Sequence, residues 1–239
     1  MDTPRPSPRT KWTRRVPHPV LSGHAASLTP SPLQADFDFD PDGGGLVDAP
    51  ARDVLCRFLD FLWERSAADA PPDRVDMRAR IEGDLLATLL GDRQLTGNGG
   101  TMIVFALQQV WSGDAVSGDS APTFALRMTR GPTAACINFH CDGGSTTRTA
   151  QVALNDPAEY QGGRLCFFSR GSLRVLDRPA GSICRHEAKV LHGVTSLRVG
   201  LRKSLFVVDD ANGLGEDTVV RVNERDTRDF VAARGQLHF

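Results

Sequence analysis

The sequence predicts a mainly β protein with flanking helices (an α+β fold) whose core is a double-stranded β-helix, or jelly roll. From about residue 101 onward, short apolar segments follow one another at close spacing, each bounded by Gly, Pro, Asn or Asp. Many short strands at close spacing are typical of sandwiches and barrels. A His-x-Asp tripeptide and a distant His stand among these segments. Together the strands and this potential metal motif favour the jelly roll.

The 239 residues are predicted to divide into a tail and one domain. Residues 1–45 are dense in Pro, basic at first, then acidic and rich in Gly, and their apolar residues follow no period. Such a composition cannot bury enough apolar surface to offset the entropy of ordering, so a disordered tail is predicted, with a docking arm as the alternative. Residues 46–239 are predicted to be a single domain, with a helical buttress at 46–95 and a jelly-roll core at about 101–222.

Two helical stretches are predicted before the strands. Asp48 can cap the first, in which apolar residues recur at helical spacing. The second is predicted from about residue 72 to residue 90, with Ile81, Leu85, Leu86 and Leu89 on one face. Both stripes are interpreted as packing surfaces.

The hydrophobic period shortens after the turn-rich segment 96–100. The predicted strands are residues 102–111, 123–128, 134–139, 149–154, 163–168, 172–175, 182–185, 189–194 and 203–208. A strand at 219–222 and a short helix around 226–233 are expected to close the fold.

Composition argues against several classes of protein. A net charge of −1 with 24% charged residues gives no preference for nucleic acid or a membrane surface. No apolar run approaches the length of a membrane span, and no apolar stretch of a secretory signal is seen, so a cytoplasmic protein is expected. The five Cys residues include no Cys-x-x-Cys pair and are interpreted as reduced thiols.

His140, Asp142 and His192 are the predicted metal ligands and catalytic residues. Residues i and i+2 of a strand point to the same face, so the His140–Asp142 pair can direct two ligand atoms at one point. With His192 from a facing strand they would form the 2-His-1-carboxylate set that non-haem Fe(II) oxygenases use, which leaves coordination positions open. The tripeptide alone is weak evidence, because a strand His bonded to a neighbouring carboxylate gives the same pattern.

The motifs around this triad follow one another in a specific order. They are Leu154-Asn155, Gly162-Gly163-Arg164-Leu165, Pro179-Ala180-Gly181, His192-Gly193-Val194 and Gly200-Leu201-Arg202-Lys203-Ser204. This series resembles the 2-oxoglutarate/Fe(II)-dependent oxygenases, and within them the prolyl 4-hydroxylase-like branch, over roughly residues 122 to 210. The chain departs from that branch in its only tyrosine, Tyr160, which lies downstream of His-x-Asp. The family often has a Tyr upstream that contacts the cosubstrate.

The resemblance implies a reaction and its cofactors. Fe(II), 2-oxoglutarate and O2 would be used, with ascorbate as a candidate reductant, and 2-oxoglutarate would be converted to succinate and CO2. The halogenase relatives have a small residue at the carboxylate position. Asp142 keeps the carboxylate here, so hydroxylation of an unactivated C–H bond is expected. The substrate class stays open between a free amino acid, a residue in a protein or peptide, and a small metabolite.

Arg202 is predicted to bind the distal carboxylate of 2-oxoglutarate, and Ser204 to donate a further hydrogen bond from the same side of the strand. A planar guanidinium can bind a carboxylate through two parallel hydrogen bonds. The alternative is a surface Arg on an edge strand. Lys203 should face the opposite side, and Arg198 is expected in the preceding turn.

Four neighbours of the triad receive weaker predictions. Thr149 and Gln151 are candidates to contact cosubstrate or substrate. His186 is expected in a loop, with support of the metal ligands as the less favoured alternative. Cys141, between two ligands, should point away from the metal into the barrel wall.

Two other classes of protein remain as alternatives. One is a cupin-like metal-binding jelly roll without oxygenase activity, for example a zinc isomerase or hydrolase. The other is a non-catalytic sensor module that binds 2-oxoglutarate or a metal. Succinate release that depends on 2-oxoglutarate would separate both from an oxygenase.

Overall fold

The computed structural model describes residues 46–67, 73–81, 83–91, 123–133, 137–142, 148–169, 171–208 and 219–235. The predicted tail at 1–45 and the predicted strand at 102–111 lie outside the described residues. Among the described helices, none has the length and apolar character needed to cross a membrane.

Helix α1 (Ala49–Arg65) begins where the sequence predicts. The side chain of Asp48 accepts a hydrogen bond of 3.1 Å from the backbone N–H of Ala51, which satisfies one of the donors that a helix start leaves unpaired. The predicted apolar stripe is buried, with Val54, Phe58 and Leu62 no more than 1% exposed. This helix therefore packs by one face.

The predicted second helix is wrong over its first half. Asp76–Ile81 is strand β1, and only Gly83–Gly91 forms a helix, α2. In β1 burial alternates, with Met77, Ala79 and Ile81 buried. Ile81 fits the period of 2 of a strand as well as the period of 3.6 of a helix. The predicted apolar face of the helix therefore included a residue that belongs to a strand. Pairing with two neighbouring strands decides for the strand.

The larger sheet has seven strands in the order β11-β1-β2-β10-β4-β8, with β5 also paired to β10. Its remaining members are β2 (Thr123–Arg130), β4 (Arg148–Ala153), β5 (Tyr160–Gly162), β8 (Ile183–Glu187), β10 (Leu197–Val208) and β11 (Val219–Arg221). Neighbours are antiparallel except β1 and β11. A 3₁₀ turn, Pro157–Glu159, precedes β5, and helix α3 (Glu224–Gly235) follows β11.

The smaller sheet has four antiparallel strands in the order β3-β9-β6-β7. They are β3 (Ile137–His140), β6 (Leu165–Ser169), β7 (Ser172–Val175) and β9 (Leu191–Val194). Two sheets of short strands with few helices confirm the predicted jelly-roll class.

Strand β10 begins earlier than the predicted residue 203. It starts at Leu197 and passes through Gly200, whose φ of +91° favours glycine. A Cβ at Gly200 would also collide with the carbonyl oxygen of Glu159. Arg198 therefore lies on the strand and not in the preceding turn.

The two faces of the larger sheet differ in character. Leu205 and Val207 of β10 belong to an apolar core that includes the buried residues of α1 and α2. The alternate residues, including Arg202 and Ser204, face the other way. Register places Ser204 opposite Ala153 and Phe206 opposite Gln151, so this second face continues across β4. A buried polar surface of this kind marks the interior of the barrel as the place for a site.

Candidate metal centre

The structure brings the three predicted metal ligands together. His140 of β3 pairs directly with His192 of β9, and Asp142 lies two residues beyond His140. Opposite residues of an antiparallel pair have adjacent side chains, which explains how ligands far apart in sequence meet. Their ligand atoms all lie within 4.8 Å of one another. The role of the three as metal ligands stays a prediction, but the geometry that it requires is present.

Backbone carbonyls orient both imidazoles. Nδ1 of His140 lies 2.8 Å from the carbonyl oxygen of Asn138, and Nδ1 of His192 lies 2.9 Å from that of Val190. A carbonyl oxygen only accepts, so each Nδ1 carries the proton and each neutral ring keeps the lone pair of Nε2 for a metal. The two Nε2 atoms lie 3.5 Å and 3.4 Å from Oδ1 of Asp142. This donor set of two imidazole nitrogens and one carboxylate oxygen fits Fe(II).

Asp142 is held ionised. Burial by itself would raise its pKa, but the adjacent His140, the hydrogen bond from Thr149 and the nearby His186 and His192 lower the pKa to about 2. The Thr149 hydroxyl donates to Oδ2 at 2.6 Å, while Oδ1 is the oxygen nearest the two imidazoles. The carboxylate is therefore an anion at pH 7.

The two histidines of the triad differ in exposure. The side chain of His140 is 43% exposed and that of His192 is 3% exposed. A hydrogen bond to Asp142 stabilises the protonated form of His140 and raises its pKa, whereas burial lowers the pKa of His192. The open side of the cluster is therefore the side of His140.

The prediction that His186 lies in a loop is wrong. It stands on β8, is buried, and its Nδ1 is 3.6 Å from Oδ2 of Asp142. Burial and the charge of His192 lower the pKa of His186 to about 4, so the ring is neutral at pH 7. Strand alternation places Cys184 and His186 on one face, but only the pairing of β8 with β4 shows that this face is the site.

Thr149 and Gln151 both lie at the site, and their contact with cosubstrate or substrate stays a prediction. They line a cavity of about 100 Å³ together with the three ligands. Nε2 of Gln151 is 3.3 Å from Nε2 of His186. Its Oε1 is buried and has no hydrogen-bond partner in the part of the chain that the structure describes. Gln151 therefore offers an unused acceptor beside the ligands.

Arg202 and Ser204 are buried on the interior face of β10, 5% and 1% exposed. The alternative of a surface Arg on an edge strand is wrong, because β10 lies between β2 and β4. Lys203 faces the opposite side as predicted, with Nζ 2.7 Å from Asp60 of α1. The role of Arg202 and Ser204 in binding 2-oxoglutarate stays a prediction.

The two halves of the predicted site line different cavities. Arg202 and Ser204 line a larger one of about 440 Å³, and the metal ligands line the smaller one. Ser204 and Phe206, one in each cavity, are alternate residues of the same strand face, about 7 Å apart. The cavities are therefore adjacent along one sheet face.

Cys141 does not enter the barrel wall, contrary to the prediction. Its side chain is exposed, and Sγ lies 3.3 Å from the carbonyl oxygen of Lys189. The reason for the difference is that β3 ends at His140, so Cys141 lies beyond the sheet.

Comparisons with known proteins give structural matches only. No protein-family model matches the sequence, and no curated protein matches it significantly. A prolyl hydroxylase from Trichoplax adhaerens, solved with a peptide fragment of the hypoxia inducible factor oxygen degradation domain, matches with a TM-score of 0.50 at 14% identity, over 72% of this chain and 82% of that chain. A Pseudomonas putida prolyl-4-hydroxylase matches with a TM-score of 0.41 at 18% identity, over 66% and 85%. The fold of the chain is thus similar to that of the Trichoplax adhaerens prolyl hydroxylase.

Proposed function

We propose that the protein is an Fe(II)- and 2-oxoglutarate-dependent dioxygenase that hydroxylates an unactivated C–H bond. The observation that carries the proposal is the convergence of His140, Asp142 and His192, with both Nε2 lone pairs and one carboxylate oxygen facing the same point. The shared fold supports it. Bound iron would supply the redox chemistry that couples O2 and 2-oxoglutarate to substrate oxidation, and O2 would be the oxidant.

Other residues of the chain would orient the metal ligands and bind the cosubstrate. Asn138 and Val190 carbonyls fix the two rings, and Thr149 fixes the carboxylate, so the donor atoms are oriented before a metal arrives. Arg202 and Ser204 are proposed to bind the distal carboxylate of 2-oxoglutarate from the interior face of β10. Gln151 lies between these two groups and offers an acceptor.

The substrate is proposed to approach from the side of His140. That imidazole is 43% exposed, whereas His192 and the base of the site are buried. A residue in a peptide, a free amino acid and a small metabolite can all reach such an opening. We propose that the binding partner is a substrate of one of these kinds, and that the protein binds neither nucleic acid nor a membrane.

An anaerobic titration tests the proposal. Fe(II) is added to the purified protein, 2-oxoglutarate is titrated, and the visible charge-transfer absorption of the chelate is followed. We expect a band that saturates at one equivalent of iron, and 2-oxoglutarate-dependent succinate release when O2 is admitted. His192→Ala should lose both, while Arg174→Ala, on the exposed strand β7, should behave as wild type.

Three outcomes would contradict the proposal. Stoichiometric iron binding by the double variant His140→Ala/His192→Ala would place the metal elsewhere. A wild-type protein that binds iron without a chelate band would favour a cupin-like metal protein, and a band without succinate release would favour a sensor module.

A further inference from the structure

The larger cavity, of about 440 Å³, has a lining that the proposed reaction does not use. It adjoins the metal cavity along β10 and β4, yet His140, Asp142 and His192 do not line it. Its volume falls within the range of about 300–1,000 Å³ typical of small-molecule sites. It has more room than a single distal carboxylate on Arg202 would need.

The charge of this cavity is strongly positive. Four cationic side chains line it: Arg164, Arg178, Arg198 and Arg202. Among the described lining residues, Asp177 is the one carboxylate, and it forms an ion pair with Arg164. Lys203 is paired with Asp60 outside the cavity. Cationic charge therefore exceeds anionic charge among the described residues that line the cavity.

Two of the guanidiniums are buried at the cavity floor, Arg178 at 9% and Arg202 at 5% exposure. Arg178 is fixed by neutral acceptors: Nη2 donates to the carbonyl oxygens of Gln151 and Ser182 at 2.6 Å each, and Nε donates to the Ser182 hydroxyl at 3.3 Å. These bonds immobilise the guanidinium without neutralising its charge.

Burial lowers the pKa of Arg178 to about 10, and the nearby charge of Arg202 adds to the lowering. Two like charges held close together in a buried site are unfavourable, and an anion placed between them removes that cost. Guanidiniums bind carboxylate and phosphate groups through paired hydrogen bonds. The floor of the cavity is thus organised for an anion.

We propose that this cavity binds a small polyanion carrying at least two carboxylate or phosphate groups. One anionic group would lie between Arg178 and Arg202 at the floor. A second would be bound by Arg198, whose exposed side chain stands at the cavity rim, with Arg164 beside it. Tyr160, which also lines the cavity, offers a phenolic donor.

The inference goes beyond the proposed function, because binding needs no metal. It has one consequence that rests on that function. Arg202 is shared with the proposed 2-oxoglutarate site, so a bound polyanion should raise the 2-oxoglutarate concentration that the iron-loaded protein requires. Failure of that competition alone would mean that the two anions do not share Arg202, and the metal-free titrations of the rim variants would then decide whether the polyanion site exists.

The test is isothermal titration calorimetry on the full chain, freed of metal with a chelator and dialysed, at constant ionic strength. Citrate and pyrophosphate are the probes, and acetate is the monovalent control. We expect one equivalent of citrate or pyrophosphate to bind more tightly than acetate, and the tighter of the two identifies the anionic group. Arg198→Gln should weaken binding by about fivefold, as expected for an exposed charge.

Matched variants separate this site from its surroundings. Arg174→Gln removes an exposed charge away from the cavity and should bind as wild type. His192→Ala should also bind as wild type, because it changes only the metal cluster. Arg178→Lys keeps the charge but loses the paired hydrogen bonds, and should weaken binding by about tenfold in a protein with a native circular dichroism spectrum.

Three results would overturn the inference. They are the absence of citrate and pyrophosphate binding, wild-type affinity in both Arg198→Gln and Arg164→Gln, and loss of binding in His192→Ala. The rim variants decide the matter if Arg178→Lys does not fold, because Arg164 and Arg198 are exposed.

Discussion

The hydroxyl of Thr149 donates a 2.6 Å hydrogen bond to Oδ2 of Asp142, and Oδ1 of the same carboxylate lies nearest the imidazoles of His140 and His192. One oxygen is therefore held by the protein while the other is presented to a metal. This division depends on the register of β4, which places Thr149 on the interior face.

Thr149→Val removes the hydroxyl while keeping the shape of the side chain. We expect metal affinity to fall by about tenfold or more, because partners that orient ligating carboxylates and histidines typically contribute that much. The measurement is a competition titration of Co(II) or Fe(II) against a chromophoric chelator. Thr149→Ser is the control and should retain most of the affinity. Equal affinities of the Val and Ser variants would mean that the hydrogen bond does not orient Asp142.

Alanine substitutions at Gly162 and Gly171 distinguish the cost of a steric collision from the cost of backbone strain. Both have positive φ, +82° and +73°. A Cβ at Gly162 would collide with the carbonyl oxygen of Ser196, whereas a Cβ at Gly171 would meet no atom of the described residues within 4 Å. Gly171→Ala should cost about 1–2 kcal/mol of the free energy of unfolding, the price of a left-handed backbone. Gly162→Ala should cost clearly more, as measured by denaturant unfolding; equal losses would show that β5 can move away from Ser196.

The thiols should differ sharply in reactivity. Burial raises the pKa of Cys56 and of Cys184 to about 11, so at pH 8 only on the order of one thiol in a thousand at each is the reactive thiolate. Cys141 is exposed. We expect iodoacetamide to label Cys141 well before Cys56 or Cys184, as measured by peptide mass spectrometry over time. Labelling of Cys184 at the rate of Cys141 would contradict the packing between the sheets.

Removal of residues 1–45 should leave the domain folded. The prediction rests on composition, since these residues offer no apolar period with which to join a core. The truncated chain keeps Leu46, which bridges to Ser182, and Val47, whose N–H donates to the carbonyl oxygen of Gly181 at 2.9 Å. We expect a change of about 1 kcal/mol or less in the free energy of unfolding and unchanged iron content. A truncated chain that does not fold would show that the segment belongs to the domain.

The sequence was sufficient for those parts of the site that depend on local spacing. His140 and Asp142 are two residues apart, and Arg202 and Lys203 are adjacent on a strand, so the strand period alone places their side chains. These two relationships need no knowledge of which strands pair. The place of His192 beside them was predicted from the resemblance in motif order, and it depends on the pairing of β9 with β3.

The features of the fold and the site that could not be predicted from the sequence depend on which strands pair. The interior position of His186 follows from the register of β8 against β4, and strand β1 follows from hydrogen bonds to β2 and β11. In the sequence, Arg178 was noted only as the residue before the Pro-x-Gly turn, and no role in a site was predicted for it. Its approach to Arg202 is created by the fold, since the two are 24 residues apart in sequence. A single sequence carries little information on such long-range contacts.

Arg202→Ala is the sharpest test of the proposed cosubstrate site. The side chain is buried on the interior face of β10, so its loss would leave a buried carboxylate without its partner, at a cost on the order of 3–5 kcal/mol. That corresponds to a rise of roughly a hundredfold or more in the 2-oxoglutarate concentration needed for half-saturation, since about 1.4 kcal/mol is tenfold. The measurement is the anaerobic titration of the Fe(II) protein.

Iron binding should survive in Arg202→Ala, because Arg202 is not among the clustered ligand atoms. This separates the variant from His192→Ala, which should lose iron and 2-oxoglutarate binding together. If Arg202→Ala titrates as wild type, the cation that binds 2-oxoglutarate lies elsewhere. Arg127 is then the weaker candidate, because its Nε already donates to Asp76 at 2.8 Å. Arg178, which no described carboxylate pairs with, becomes the stronger one.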